Sequence, residues 1–578
     1  MTLAGIISRI AGFFYRIFLT RQIGADGIGM FQLVTPVLGI AFALCSAGIQ
    51  TAISRFCAAK KFQSTWLFAG LAVALPLSVL FTSFTYAYAD FIAVRIFLNK
   101  DCSRFIQILA ITVPFCTFHN CVNGYYLGKK QAGLPAFSQL FEQFARIGAV
   151  YLYTVYCTQN ERPVSVLCAV YGNLAGETAS CLICILALLI DKTVTFRFHS
   201  LPECIKKTVV FSIPLTANRL LMHLLQSGES ILIPAQLVLF GNTQNEALSI
   251  YGILMGMSLP LILFPSAITN SMAVMLLPEV SGAQADGDNA RIVHTLNRSL
   301  QICMAMGFLS TALFLFYGAK MGAILFKEPL VENFVMILAW LCPFYYLTTT
   351  LGSILNGLGC TTLTCVQTIA GILVRIAFLV LLVPKTGIRG YLIGTLVSQI
   401  LVCIAHFLYL NHLFHIGFPV WKYILQPLLY TAVSILFSQM FCRLLLFLGT
   451  DSLFFRLFTG ACCAVFIFAV LIKSSFLTAE CTRLLAAPRS FKSLNTAIIP
   501  CYYCGSTASS SAGAVSHSPL RVSYCSCSQL IASLRPSTLL SKYCVVFFSS
   551  GTAVEAYGPN QTCTINLKSG FSPVFFIR

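Results

Sequence analysis

The chain is divided into a succession of apolar runs, each long enough to cross a bilayer as an α-helix of about 20 residues. They fall near residues 2–20, 29–52, 65–89, 105–127, 133–157, 163–190, 207–239, 249–277, 299–325, 333–358, 363–384, 388–411, 422–449 and 453–473. Nothing else in the sequence constrains the fold as strongly, because hydrocarbon offers the backbone no partners and each run must satisfy its own N–H and C=O groups by forming a helix. The expected architecture is therefore an all-α polytopic membrane protein of about fourteen transmembrane helices. Composition agrees: 57% of the residues are hydrophobic and only 10% charged, against about a quarter charged in soluble domains.

The net charge of +19 would suggest a nucleic-acid partner in a soluble protein, but here Lys and Arg gather in short loops and at helix ends, which is the pattern of a positive-inside topology. No nucleic acid is expected, and the expected location is a membrane. With the amino terminus in the cytoplasm, Arg55, Lys60 and Lys61, then Lys129 and Lys130, then Lys192, Arg197, Lys206 and Lys207 lie inside, while Arg95, Lys100 and Arg104 fall outside. The first apolar run leads into Arg16 and Arg21 instead of a small-residue cleavage site, so no cleavable signal peptide is expected. The 25 cysteines show no disulfide-like framework and are read mainly as small buried hydrophobes.

Two stretches resemble each other. "ILAITVPFCTFHNCVNGYYLGKKQAGLPAFSQLFEQFARIGAVYL" begins at Ile108, and "ILAWLCPFYYLTTTLGSILNGLGCTTLTCVQTIAGILVRIAFLVLL" at Ile337. They share a Pro-Phe pair at Pro114 and Pro343, an Asn-Gly step at Asn123 and Asn356, and an Arg-Ile pair at Arg146 and Arg375, with the same spacing from Pro to Arg. A fainter match pairs "SAGIQTA" at Ser46 with "SAITNSMA" at Ser266. Equivalent helices six spans apart share one membrane orientation, so the expected repeats are parallel and the design is two six-helix lobes with a site between them. The expected divisions are residues 1–195 and 196–412 for the lobes, 413–473 for an accessory helix pair, and 474–578 for a Ser/Cys-rich tail read as disordered or of aberrant origin.

Within the apolar runs, the charged residues are the informative ones. A central Arg costs about 2.5 to 3.5 kcal/mol on insertion scales, and each Leu, Ile or Phe returns only about 0.3 to 0.6. The first helix carries Arg9 and Arg16, seven residues apart and hence on nearly one face about 10 Å apart, with Arg21 at its end. Two readings stand: arginines facing a cavity, or arginines paired with Glu142, Glu177 or Glu229 on neighbouring helices. Glu142 already has Arg146 one turn away. In the seventh helix, Arg219, His223, Gln226 and Ser230 follow at intervals of four, three and four, with Glu229 close to that stripe. Helices two and eight bring Gln32, Gln50 and Asn270, which either bind a polar cargo or join helices by hydrogen bonds.

Enzyme chemistry finds no foothold. The sequence has no GK[ST] phosphate loop, no HExxH and no GxSxG. No cofactor and no metal are expected: the tail's Cys501–Cys504 and Cys525–Cys527 pairs lack the spacing and the histidines of a familiar zinc site.

"SRIAGFFYRIFLTRQIGADGIGMFQLVTPVLGIAFALCSAGIQTAISR", "NGYYLGKKQAGLPAFSQLFEQFARI" and the stretch from "PLTANRLLMHLLQSGESILIP" to "LLPEVSGAQA" resemble the stage V sporulation protein B and polysaccharide-biosynthesis branch of the MOP exporter superfamily, which also holds the lipid II flippases and the MATE drug exporters. The resemblance spans roughly residues 1 to 473. It implies fourteen helices in two six-helix lobes with an extra pair, and a polyprenyl-diphosphate-linked saccharide as partner, moved from the inner to the outer leaflet. The similar lipid II flippases carry essential arginines in an "SR...GF..R" setting on helix one, matched here by Arg9 and Arg16 with one extra residue between them; Arg55 is a looser match to a basic residue at the end of helix two. A diphosphate suits arginine, which engages it by charge-assisted, often bidentate hydrogen bonds. The expected substrate-binding set is Arg9, Arg16, Arg21, Arg55, Arg219, Glu229, Gln32, Gln50 and Asn270. Two other readings are a cation-coupled drug exporter, in which Glu229 or Glu177 dominates, and a non-transporting scaffold for envelope assembly.

Overall fold

The structure, a computed structural model, describes residues 2–58, 63–191, 200–417, 419–449 and 452–486. Lys60, Lys61, Lys192 and Arg197 of the expected inside loops, and the Cys501–Cys504 and Cys525–Cys527 pairs of the tail, lie outside these residues. Among the described residues the chain forms helices and no strand, as an apolar surrounding requires of runs this long. The described residues up to Ser475 form one compact unit.

Among the described residues, twelve segments are long and apolar enough to span a membrane, where the sequence predicts about fourteen. The difference has two physical sources. The first two expected spans run together as Ile7–Ala58, a segment of 52 residues, more than twice the length a bilayer needs. Inside the opening helix Thr2–Val34, Gly24 adopts φ +73°, which breaks the helical course, and Thr35 and Pro36 follow at the start of the next helix, Pro36–Phe42. The other source is Gly133–Gln159, helical as expected but not among the twelve, because Gln139, Glu142, Gln143 and Arg146 interrupt its apolar surface. At the far end, Leu453–Ala486 continues beyond residue 473 as helix, although its apolar span stops at Lys473; the expected tail boundary thus falls inside a helix.

The turn that joins Leu201–Phe240 to Gln244–Gly252 shows how locally the connections are written. Gly241, at φ +114°, ends the first helix in the left-handed region open to glycine. Thr243 then begins the second with a capping box: its hydroxyl accepts from the Glu246 N–H, and the Glu246 carboxylate accepts from the Thr243 N–H at 2.8 Å.

Helices from the first 195 residues meet helices from the second part of the chain along two seams. At one, Gly29 lies against Leu248 and Gly252, so close that a Cβ on Gly252 would stand 2.6 Å from the Gly29 nitrogen. At the other, Gly48 lies against Ser212 and Thr216, where a Cβ would stand 3.0 Å from the Ser212 carbonyl oxygen. Small residues permit such backbone approaches between membrane helices, where dispersion and not water exclusion holds the contact. Away from the seams, Leu186, Leu189, Ile190 and Leu239 are exposed, an apolar surface suited to lipid.

Candidate substrate cavity

Between the two seams lies a cavity of about 1030 Å³, at the upper end of the range for small-molecule sites. Its first-half wall comes from Thr2–Val34, Pro36–Phe42 and Cys102–Gly128, with Glu142 and Glu177 from two further helices; its second-half wall comes chiefly from Leu201–Phe240 and residues 251–270.

Arg9 and Arg16 both line it, on the shared face that their spacing of seven dictates. Arg16 is half-buried and Arg9 exposed. Among the described residues neither forms an ion pair, because the carboxylates within the bundle are engaged elsewhere. Glu142 accepts from Arg146 at 2.5 Å. Glu177 lies 2.6 Å from His119 Nε2 and 3.7 Å from Arg146. Glu229, only 4% exposed, is paired with Arg375, whose second guanidinium nitrogen donates at 2.7 Å, and accepts the Tyr391 hydroxyl at 2.9 Å. Two guanidinium groups are thus left to face the cavity, the geometry that attracts an anion.

The remaining expected residues divide. Gln32 and Asn270 line the cavity from opposite walls. His223, Gln226 and Ser230 of the polar stripe do so as well, but Arg219 and Glu229 are not part of the lining. One turn before His223, Arg219 donates at 2.7 Å to the Ala47 carbonyl and at 3.3 Å to the Thr51 hydroxyl, so it binds the Leu201–Phe240 helix to the helix of Gly48 across the second seam. Arg21 donates at 2.9 Å to the Leu325 carbonyl. Arg55 stands over the Phe211 ring, 4.6 Å from its centre, a cation–π contact. Gln50 packs against Gly124. Arg21, Arg55 and Gln50 are outside the lining.

The cavity also holds residues outside the expected substrate-binding set. His119 and Glu177 lie together on its wall, and Tyr345 reaches it from the second half. An ionisable residue inside an apolar run was the available signal for His119 and Glu177; their pairing across 58 positions was not.

Comparison with known proteins agrees with this geometry. Residues 1–277 match the family model for polysaccharide biosynthesis proteins. Stage V sporulation protein B of Bacillus subtilis (strain 168) is 24% identical over 439 residues, covering 73% of this chain and 84% of its own length. In fold, the chain resembles the lipid II flippase MurJ in an inward closed conformation, with a TM-score of 0.64, 12% identity, and coverage of 83% and 99% of the two chains. It also resembles an inward-facing multidrug resistance MATE transporter of the MOP superfamily, with a TM-score of 0.57, 15% identity and coverage of 71% and 94%.

The fold is shared with structures of the MOP superfamily, and the apolar spans make the chain a multi-pass protein of the cytoplasmic membrane. In sequence, the chain is similar to polysaccharide biosynthesis proteins over residues 1–277 and to the sporulation relative over most of its length. The two structural neighbours are, by their own descriptions, a flippase and a multidrug transporter.

Proposed function

We propose that the chain moves a polyprenyl-diphosphate-linked saccharide across the cytoplasmic membrane by alternating access. The observation that carries this reading is the pair Arg9 and Arg16, both on the wall of the 1030 Å³ cavity and neither held by a carboxylate among the described residues. A diphosphate is a compact anion that two guanidinium groups about two helical turns apart would engage together. Gln32 and Asn270, on facing walls, would bind sugar hydroxyls. The lipid chain would remain in the bilayer, against the apolar outer face.

Alternation is read as rocking of two lobes, residues 1–195 and 196–412, with residues 413–473 as an accessory pair. If Ile7–Ala58 crosses the membrane twice and Gly133–Gln159 once, the helix count becomes the fourteen that the resemblance implies. The two seams flank the cavity and would open in turn. Arg219, held across the second seam, would then act as a latch between lobes that becomes available to the cargo when that seam parts. Arg21 and Arg55, outside the cavity lining, would attract the anion near its mouths. Glu229, held by Arg375 and Tyr391, would influence the site only by exchanging partners.

The test is leaflet translocation of a fluorescent polyprenyl-diphosphate sugar in proteoliposomes. The intact chain is expected to flip the probe, and the Arg9→Ala and Arg16→Ala variants to lose most of that activity while still inserting normally. Flipping that survives both substitutions would refute the anion site. The Glu177, Glu142 and Arg146 cluster on and behind the same wall favours, as a second reading, a cation-coupled exporter, in which Glu177→Gln abolishes transport and the arginine variants do not.

A further inference from the structure

Beside the arginines, the cavity wall contains a second cluster of different chemistry. Cys116 and His119 are three residues apart on Cys102–Gly128 and therefore share one face of that helix. Glu177 faces them from Leu167–Ile190. One ligand atom from each, sulfur, imidazole nitrogen and carboxylate oxygen, lies within 4.8 Å of the others. All three residues line the cavity.

We propose that Cys116, His119 and Glu177 form a binding site for a zinc-class divalent cation, with one coordination position open to the cavity. In a tetrahedral zinc site, bonds of 2.0 to 2.3 Å place neighbouring ligand atoms roughly 3.5 Å apart. His119 Nε2 and Glu177 Oε2, at 2.6 Å, are already closer than that, so a cation would enter by spreading this pair and rotating Cys116 inward. The donor set selects the ion: a thiolate and an imidazole favour zinc and its neighbours, whereas calcium and magnesium require oxygen ligands. Three protein ligands and one free position is the arrangement of an exchangeable site, in contrast to the closed four-ligand sites that only stabilise folds.

The surroundings support each ligand. The Asn120 amide donates to the Cys116 sulfur at 3.2 Å and fixes its position, while the thiolate itself would form on binding the cation, with release of the proton. The Asn123 amide is 3.4 Å from His119 Nδ1, and with its oxygen turned toward the ring it would fix the tautomer that offers Nε2 to a metal. Arg146 is 3.7 Å from the other oxygen of Glu177 and orients that carboxylate from behind.

The site is tested with cobalt as a spectroscopic stand-in. The full-length chain is purified in nanodiscs with Cys481, Cys501, Cys504, Cys525, Cys527, Cys544 and Cys563 replaced by serine, so that thiols beyond residue 473 cannot compete. Titration with Co²⁺ is expected to give a thiolate-to-cobalt charge-transfer band that saturates at one equivalent and disappears on addition of Zn²⁺. The near-isosteric Cys116→Ser variant should abolish the band, and His119→Gln and Glu177→Gln should weaken Co²⁺ binding at least tenfold. A parent protein with no band, or a band that survives Cys116→Ser, would overturn the proposal. A second readout does not depend on any variant's folding: Zn²⁺ should slow alkylation of Cys116 in the parent protein, and a chelator should restore it. An alkylation rate indifferent to Zn²⁺ would also overturn it.

Discussion

Arg9 and Arg16 are placed by the apolar sequence around them, since a guanidinium in a greasy helix must find a carboxylate, an interface or water. Here the bundle's carboxylates have gone to Arg146, His119 and Arg375, and the two arginines face the cavity. For a charge-assisted contact of about 1.5 to 3 kcal/mol, Arg16→Ala should reduce flipping about ten- to a hundredfold in the proteoliposome assay. Arg16→Lys, which keeps the charge but loses the planar fork, should fall between. Glu229 belongs to a different balance. Removing its charge strands Arg375 inside the bundle, and Glu229→Gln should destabilise the protein by about 3 to 5 kcal/mol, seen as a clear drop in apparent melting temperature in detergent. A Glu229→Leu, Arg375→Leu double variant should recover most of that loss. The placement of Arg9 and Arg16 was legible because it follows from charge and period along one helix. The partner of Glu229 was not, since Arg375 lies 146 positions away, and sequence reading had grouped Glu229 with a polar stripe that it does not join.

At the scale of elements, the helices were legible almost throughout, because hydrocarbon allows a run of 20 apolar residues few alternatives. Sequence periodicity was weaker at breaks. Gly24 breaks the helical course within Thr2–Val34, and Leu453–Ala486 passes through the point where the composition changes. The connection at Gly241 and Thr243 was written in its residues, a left-handed glycine followed by a Thr-x-x-Glu cap. Thr243→Ala should therefore lower stability by about 1 kcal/mol, measurable as a modest shift in the same melting experiment, while leaving the cavity unchanged. The seams were not legible, since a glycine in a membrane helix does not announce what it touches. Gly252→Leu should force Gly29 and Gly252 apart. A cysteine pair introduced on either side of that seam should then cross-link more slowly than in the parent protein.

For the whole molecule, the expected division into lobes gains its meaning from what crosses between them. The structure brings residues from both parts of the chain to one cavity and joins them at two seams. Closing both seams together would hold the cargo, and opening both would leak, so the balance between them sets the rate of any transport cycle. Weakening the second seam with Arg219→Ala should shift the population toward the form open at that end. The measurement is labelling of a Gln32→Cys variant by a water-soluble maleimide, expected to quicken when Arg219 is removed. An unchanged rate would mean that Arg219 does not hold the seam.

The Arg219 latch has an unusual receiver. It grips a peptide carbonyl at Ala47 and a hydroxyl at Thr51, and neither group gains or loses a proton in the range where bacteria grow. A guanidinium does not titrate there either. A fastening made this way has no titrating group of its own, unlike one built on a carboxylate or an imidazole, and can feel acidity only through a neighbour such as His223, one turn along the same helix. If the seam gates transport, a cell whose surroundings sour during growth would loosen it through that one imidazole or not at all.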